Sequence, residues 1–157
     1  MPRIGFGYDV HALAEGRELW LGGIKIEHNK GCIAHSDGDV LIHALCDALL
    51  GAAALGDIGT HFPDNDQEFK NIDSKILLRR TMQIIQKAGY AVNNIDATVC
   101  LEKPKIRTRI DEMRQILAQI MEIPIDRVSI KATTSEKLGF VGREEGVAVY
   151  AVATLDF

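Results

Sequence analysis

Three cysteines in 157 residues, Cys32, Cys46 and Cys100, are too few and too scattered for a disulfide framework. Their number is odd, no C-x-x-C pair occurs, and their neighbours are apolar, which fits reduced core thiols of a cytosolic protein. Long apolar runs are also missing. None reaches the ~18 residues of a membrane span, so no membrane partner is expected. Basic tracts are short, none longer than Arg79-Arg80, and the formal net charge is −4. A surface held to nucleic acid by general basicity is thereby excluded, although a local basic pocket is not. No internal repeat, low-complexity stretch or linker divides the chain. A strand-like pattern begins at residue 3 or 4, leaving no room before it for a signal or transit peptide, and the expected location is the cytoplasm.

What the chain does contain is 46% apolar and 25% charged residues, enough for one domain over residues 1–157 that buries roughly 70% of its unfolded surface. In Ile4-Gly5-Phe6-Gly7-Tyr8-Asp9-Val10-His11 the bulky apolar residues alternate with the others, the period of a half-buried strand. Leu19 to Leu21 and Ile24 to Ile26 around Gly22-Gly23 predict a hairpin with a two-residue turn. Asp37 to Leu55 predicts a helix opened by Ser36 or Asp37 and closed by Gly56, with Leu41, Leu45, Ala48 and Ala52 as its apolar stripe. Residues 56–66 read as a loop. A second helix is expected from a Ser74 cap to about Lys87-Ala88, stopped by Gly89, and a third from about Thr108 to Met121. Ile95 to Leu101, Val128 to Ala132 and Val147 to Leu155 read as strands. This order predicts an α+β fold (an α/β sandwich) in which helices pack on one face of a mixed sheet.

Asp9 and His11 share one face of the first strand, and His43 lies on its helix away from the apolar stripe, at four-residue intervals from Asp39 and Asp47. One carboxylate and two imidazoles form a three-ligand set that leaves a fourth position open, the composition of a catalytic rather than a structural zinc site. Spacing alone also admits three unrelated hydrogen-bonding residues. Ala34-His35-Ser36-Asp37 stands at the start of the helix carrying His43, where free N–H groups favour an anion such as phosphate, or where Ser36 and Asp37 simply cap. Thr133-Thr134-Ser135-Glu136-Lys137 combines hydroxyls, a carboxylate and an ammonium suited to phosphate oxygens and a hard cation, or is a solvated polar loop. Asp57-Ile58-Gly59 serves sugar hydroxyls or is a turn, and Lys103-Pro104-Lys105 stiffens a nucleotide pocket or ends a strand.

Taken together, Asp9-Val10-His11, residues 34–39 with His43, residues 47–59, Phe62-Pro63-Asp64 and residues 131–140 resemble the 2-C-methyl-D-erythritol 2,4-cyclodiphosphate synthases over almost the whole chain. The resemblance implies a phosphorus–oxygen lyase of the non-mevalonate isoprenoid pathway that cyclises 4-diphosphocytidyl-2-C-methyl-D-erythritol 2-phosphate and releases CMP. It implies Zn2+ on Asp9, His11 and His43, and a second divalent ion, Mg2+ or Mn2+, on Glu136. His35 and Thr134 would stabilise the developing phosphoryl charge, with Ser36 and Thr133 as further phosphate donors. Asp57, Gly59, Phe62, Asp64 and Asp66 would contact the sugar-like and phosphate parts of the substrate. Leu101, Lys103, Pro104, Lys105, Ile106 and Arg107 would form the cytidine pocket, in which Leu101, Ile106 and Arg107 are atypical for the family. His61, also atypical, reads as a loop residue rather than a ligand. The resemblance further implies a homotrimer with its sheets towards the threefold axis, active sites at subunit boundaries, and an axial channel where Phe140 and Arg143 would meet an isoprenoid diphosphate. Two other classes fit a compact metal-binding α+β chain: a zinc-dependent phosphate hydrolase and a trimeric small-molecule sensor.

Overall fold

In the computed structural model, which describes residues 1–157, five strands form a mixed sheet and a hairpin stands beside it. Strand β1 (Arg3–Glu15) is followed by the hairpin strands β2 (Leu19–Leu21) and β3 (Ile24–Ile26), and by the short β4 (Lys30–Cys32). Then come α1 (Val40–Ala52), the single-turn α2 (Ile58–His61) and α3 (Ser74–Lys87). The second half contains β5 (Ala91–Cys100), α4 (Ile110–Met121), β6 (Val128–Thr133), the single-turn α5 (Gly139–Gly142) and β7 (Gly146–Asp156). The sheet order is β4-β1-β7-β5-β6, antiparallel except for the parallel β5–β6 pair. Helix α1 lies on β1 and β7, α3 packs on α1 and α4, and α4 reaches β6. Thirty-five buried residues form one apolar cluster between the sheet and these helices. No helix is long and apolar enough to cross a membrane.

The alternation in β1 is present, but its buried side is the reverse of the usual one. Gly5 and Gly7 face the core, while Ile4 (72% exposed), Phe6 (61%), Tyr8 and Val10 point outwards. A Cβ on Gly5 would lie 1.8 Å from the Ala48 carbonyl oxygen, and one on Gly7 1.9 Å from that of Ala44. Only glycine lets α1 sit this close to the strand. Tyr150 and Val152 of β7 extend the outward apolar face, with Phe6 opposite Val152 and Tyr8 opposite Tyr150.

Several boundaries differ from the sequence expectation. Helix α1 is capped by Asp39 rather than by Ser36 or Asp37, and its C-terminus turns through the left-handed Ala54, so Gly56 is not its terminating residue. The fully buried Asp39 carboxylate accepts from Ile42 N, the first turn, and from Gly22 N and Gly23 N of the hairpin. That long-range bridge selects Asp39 over two nearer cap-capable residues. Burial pushes the Asp39 carboxyl up, with repulsion from Asp37 in the same direction, against the opposing pull of the three N–H groups. Helix α3 is capped by Asp73, leaving Ser74 inside its first turn. Residues 56–66 contain α2, capped by Asp57. Strand β5 starts four residues earlier than Ile95 because Ala91 and Val92 pair with Asp156 and Leu155 across a register shift. β4 has no counterpart in the sequence pattern, since Lys30-Gly31-Cys32 is too short to show a period.

Candidate metal and nucleotide site

Strand β1 and helix α1 bring Asp9, His11 and His43 to one point. Asp9 Oδ2 lies 2.9 Å from His11 Nε2 and 3.2 Å from His43 Nδ1, and the two ring nitrogens are 3.3 Å apart. A tetrahedral ion with bonds of ~2.0–2.1 Å has ligand atoms roughly 3.3–3.4 Å from one another, so these three atoms have nearly the spacing of one face of its coordination shell. Asp9 Oδ2 is buried without a well-aligned hydrogen bond, although two imidazole nitrogens approach it. Three electron-pair donors converging in this way are suited to a divalent cation. They are also the one cluster of three or more potential ligands in the structure.

The electrostatics agree with that reading. Burial raises the Asp9 carboxyl, but the contacts with His11 and His43 outweigh it and bring it to about 2, so it is ionised at neutral pH. Burial lowers His43, but Asp9 outweighs that effect and holds the imidazole above its ordinary range. The other ring nitrogen, His43 Nε2, lies 3.0 Å from Ser74 Oγ and 3.1 Å from Ser36 Oγ. Asp37 accepts from Ser74 N, Ser74 Oγ and Asp39 N. Asp47 accepts from Ile58 N at 2.7 Å and so ties α2 to α1 beside the cluster. The sequence marks Ser74 only as a helix cap and Asp47 only as a residue on the face of His43, because a helix-start serine and a helical aspartate carry no site motif of their own.

A cleft of 570 Å3 opens from the cluster, lined among others by His11, His35, Ser36, His43, Gly59, Phe62 and Asp64. His35 Nε2 is 3.2 Å from the Asp66 carbonyl oxygen, which orients the ring over this cleft. The exposed Asp66 carboxylate accepts from Glu68 N through one of its oxygens. Phe62 is mostly buried, its ring meeting Phe69 edge-on at 5.6 Å, so only part of it faces the cleft. Asp57 accepts from Thr60 N and Thr60 Oγ1, and these bonds hold its exposed carboxyl below the usual range. His61 makes a contact with the Leu55 carbonyl oxygen at 2.8 Å and takes no part in the metal cluster.

A second cleft, of 590 Å3, is lined by Leu101, Pro104, Lys105, Ile106, Arg107, Thr133 and Thr134 with their neighbours on β6 and α4. Lys103 is exposed and outside that lining. Its walls belong to two loops stitched together by Glu102, whose carboxylate oxygens accept from Ser135 N and Lys137 N. Glu136 and Lys137 between and after these bonds both have positive φ, 54° and 63°, conformations uncommon outside glycine. Glu136 is exposed and belongs to no group of three or more potential metal ligands. The two clefts share no lining residue, and His35 and Thr134 line different ones. Phe140 is partly exposed on α5 beside Gly146, and Arg143 pairs with Glu145 at 2.7 Å.

The profile of the YgbB family matches residues 2–156. The 2-C-methyl-D-erythritol 2,4-cyclodiphosphate synthase of Bacteroides fragilis is 61% identical over 154 residues, 98% of this chain and 97% of the relative. Among solved structures, a 2C-methyl-D-erythritol-2,4-cyclodiphosphate synthase with bound CDP has a TM-score of 0.91 and 39% identity, over 98% of this chain and all of that one. The bifunctional IspDF of Campylobacter jejuni has a TM-score of 0.96 and 43% identity over the whole of this chain, which spans 42% of that longer protein. With an α+β layout, a convergent metal triad and end-to-end matches of this extent, the chain belongs to the YgbB family.

Proposed function

We propose that the chain converts 4-diphosphocytidyl-2-C-methyl-D-erythritol 2-phosphate into 2-C-methyl-D-erythritol 2,4-cyclodiphosphate and CMP, as a phosphorus–oxygen lyase of the non-mevalonate pathway. The observation that carries this reading is the Asp9–His11–His43 triad, open on the side where His35 and Ser36 line a cleft. In the reaction, an oxygen of the 2-phosphate forms a bond to the β-phosphorus of the diphosphate. The bond from that phosphorus to the oxygen bridging it to the α-phosphate breaks, and CMP leaves with the oxygen and its electron pair. No covalent enzyme intermediate is required, because nucleophile and electrophile are already tethered. Placement and charge neutralisation are the tasks left to the protein.

Asp9, His11 and His43 hold Zn2+, whose imidazole-and-carboxylate donor set suits it. When bound, zinc supplies Lewis-acid polarisation of a phosphoryl oxygen. His35 and Ser36 orient phosphate oxygens beside the triad, while Asp57, Gly59 and Asp64 bind the sugar-like portion. Thr133 and Thr134 donate to the diphosphate, and exposed Glu136 holds Mg2+ or Mn2+ that arrives with it, since a lone carboxylate is a weak site for either ion. The base fits the second cleft along residues 101–107, where Lys105 and Arg107 offset the charge of an anionic ligand despite the net charge of −4. Binding of CDP by a structural relative supports this placement. Separation of the two clefts within one chain, together with the uncovered apolar face of β1 and β7, supports a homotrimer with sheets towards its axis and sites shared between subunits. An axial role for Phe140 and Arg143 towards an isoprenoid diphosphate belongs to the same arrangement.

Incubation of the zinc-loaded chain with the cytidine substrate and Mg2+ tests the reading. CMP and a cyclic diphosphate are expected in equal amounts. Inorganic phosphate as the product would indicate a hydrolase, and an unchanged substrate would favour a binding protein.

A further inference from the structure

Ser74 is fully buried and lines neither of the two clefts described above, yet its hydroxyl stands between a carboxylate and a ring nitrogen of His43. From this placement we infer that Asp37 and Ser74 are positioning residues that lock His43 in the tautomer carrying its proton on Nε2, and thereby free the Ser36 proton for a ligand oxygen. The inference rests on the proposed metal site and assigns what lies behind it.

An ionised carboxylate only accepts, and a serine hydroxyl has one proton. Asp37 receives Ser74 N through Oδ2 at 2.9 Å and the Ser74 hydroxyl through Oδ1. Asp39 N, 3.0 Å from the same Oδ1, anchors the carboxylate from the other side. The Ser74 proton is therefore committed to Asp37, and towards His43 Nε2, 3.0 Å away, Ser74 Oγ has only lone pairs to offer. Two lone pairs facing each other would repel, so Nε2 carries hydrogen. His43 Nδ1 is then unprotonated in the neutral ring and directs its lone pair at the point shared with Asp9 Oδ2 and His11 Nε2. A fixed tautomer of this kind orients a metal-bound histidine and raises its basicity.

Ser36 follows from the same logic. Its Oγ is 3.1 Å from His43 Nε2 and 3.2 Å from Gly38 N, both of which are donors in this arrangement. The hydroxyl accepts on that side, and its own proton remains for an acceptor in the cleft that Ser36 lines with His11 and His35. An anionic oxygen such as that of a phosphate is the matching ligand.

Zinc affinity, measured by competition with a chromophoric chelator, provides the test alongside the NMR signature of the ring. Ser74→Ala and Asp37→Asn should each weaken zinc binding roughly 10- to 100-fold. In the latter an amide N–H can turn towards Ser74 and release the hydroxyl proton to His43, favouring the wrong tautomer. Ser74→Thr, which keeps the hydroxyl, should restore affinity to within about threefold of the parent, well short of the loss expected when such a partner is removed. Parent-like affinity in both Ser74→Ala and Asp37→Asn would overturn the inference. Should those variants fail to fold, nitrogen-15 spectra of the unaltered zinc-loaded chain decide it. Nδ1 should show the metal-bound shift and Nε2 a slowly exchanging proton, whereas a metal-bound Nε2 would refute the assignment. His43→Ala separates the two levels: parent-like zinc binding there would remove the metal-site reading itself.

Discussion

At His43 burial disfavours a charged imidazole and Asp9, 3.2 Å away, favours one, and the second effect wins. In the metal-free chain this raised pKa means that the protonated His43–Asp9 pair contributes stability fully present below the unfolded value of about 6.5. That contribution is lost as pH rises through the higher folded-state value. Zinc requires the unprotonated nitrogen, so its binding strengthens over the same interval. The melting temperature in chelator should accordingly fall as pH rises from about 6.5 through the raised folded-state value of His43, while the increment produced by zinc grows; a pH-independent increment would contradict the assigned ligand. Asp39 is the other residue on which much depends. Asp39→Ala would leave Gly22 N, Gly23 N and Ile42 N without their acceptor in a buried place, costing about 3 kcal/mol in denaturant melts. Residue types were readable at both positions, since a carboxylate and two imidazoles are suited to a metal, although their spacing alone left unrelated hydrogen-bonding roles open. Asp39 was not distinguishable from Ser36 and Asp37 as a cap, because the hairpin N–H groups that choose it come from 16 and 17 positions away.

Among the elements, β1 and α1 carry the site, and their contact depends on glycine. The helix approaches so closely that Gly7→Ala would drive a methyl group to 1.9 Å from the Ala44 carbonyl oxygen and 2.8 Å from Ala48 N. Backbone cannot yield as a flexible side chain does, so a loss of about 3 kcal/mol is expected, with zinc affinity falling as His43 is displaced from Asp9. Gly16→Ala, where a Cβ meets nothing within 4 Å, measures in comparison the strain of φ +78° alone. An equal loss in the two variants would remove close helix packing as the cause. The alternation of β1 placed Asp9 and His11 together correctly, since period 2 is a property of the strand. Which side the core occupies is not, and the ordinary expectation that bulky residues face inwards fails here.

For the whole molecule, the outward row of Ile4, Phe6, Tyr8, Val10, Tyr150 and Val152 is the main unsatisfied feature of a single chain. Tyr8 and Tyr150 rings lie 5.1 Å apart, and Phe6 and Tyr150 rings 6.4 Å apart, so the row is continuous across β1 and β7. A contiguous apolar face of this kind marks an association surface. With the two clefts carrying separate parts of the proposed chemistry, activity should be recoverable between defective chains. Mixing His43→Ala with Thr133→Ala/Thr134→Ala and reassembling should restore part of the turnover, because some boundaries then pair an intact triad with an intact threonine loop. Failure of both chains and of every mixture, with trimers present, would place a complete site in each subunit. A monomer in sedimentation would remove the shared site altogether.

By itself the sequence determined the strand and helix order of the second half, the glycine-turned hairpin, the metal triad and the family resemblance. These follow from local period, turn chemistry and the coordination preferences of side chains. Only the tertiary structure decided that the glycine side of β1 faces the helix, that Asp39 is the cap, and that His35 and Thr134 line different clefts. Each of those depends on which distant backbone comes within a hydrogen bond or a methyl radius, a quantity that local patterns do not contain.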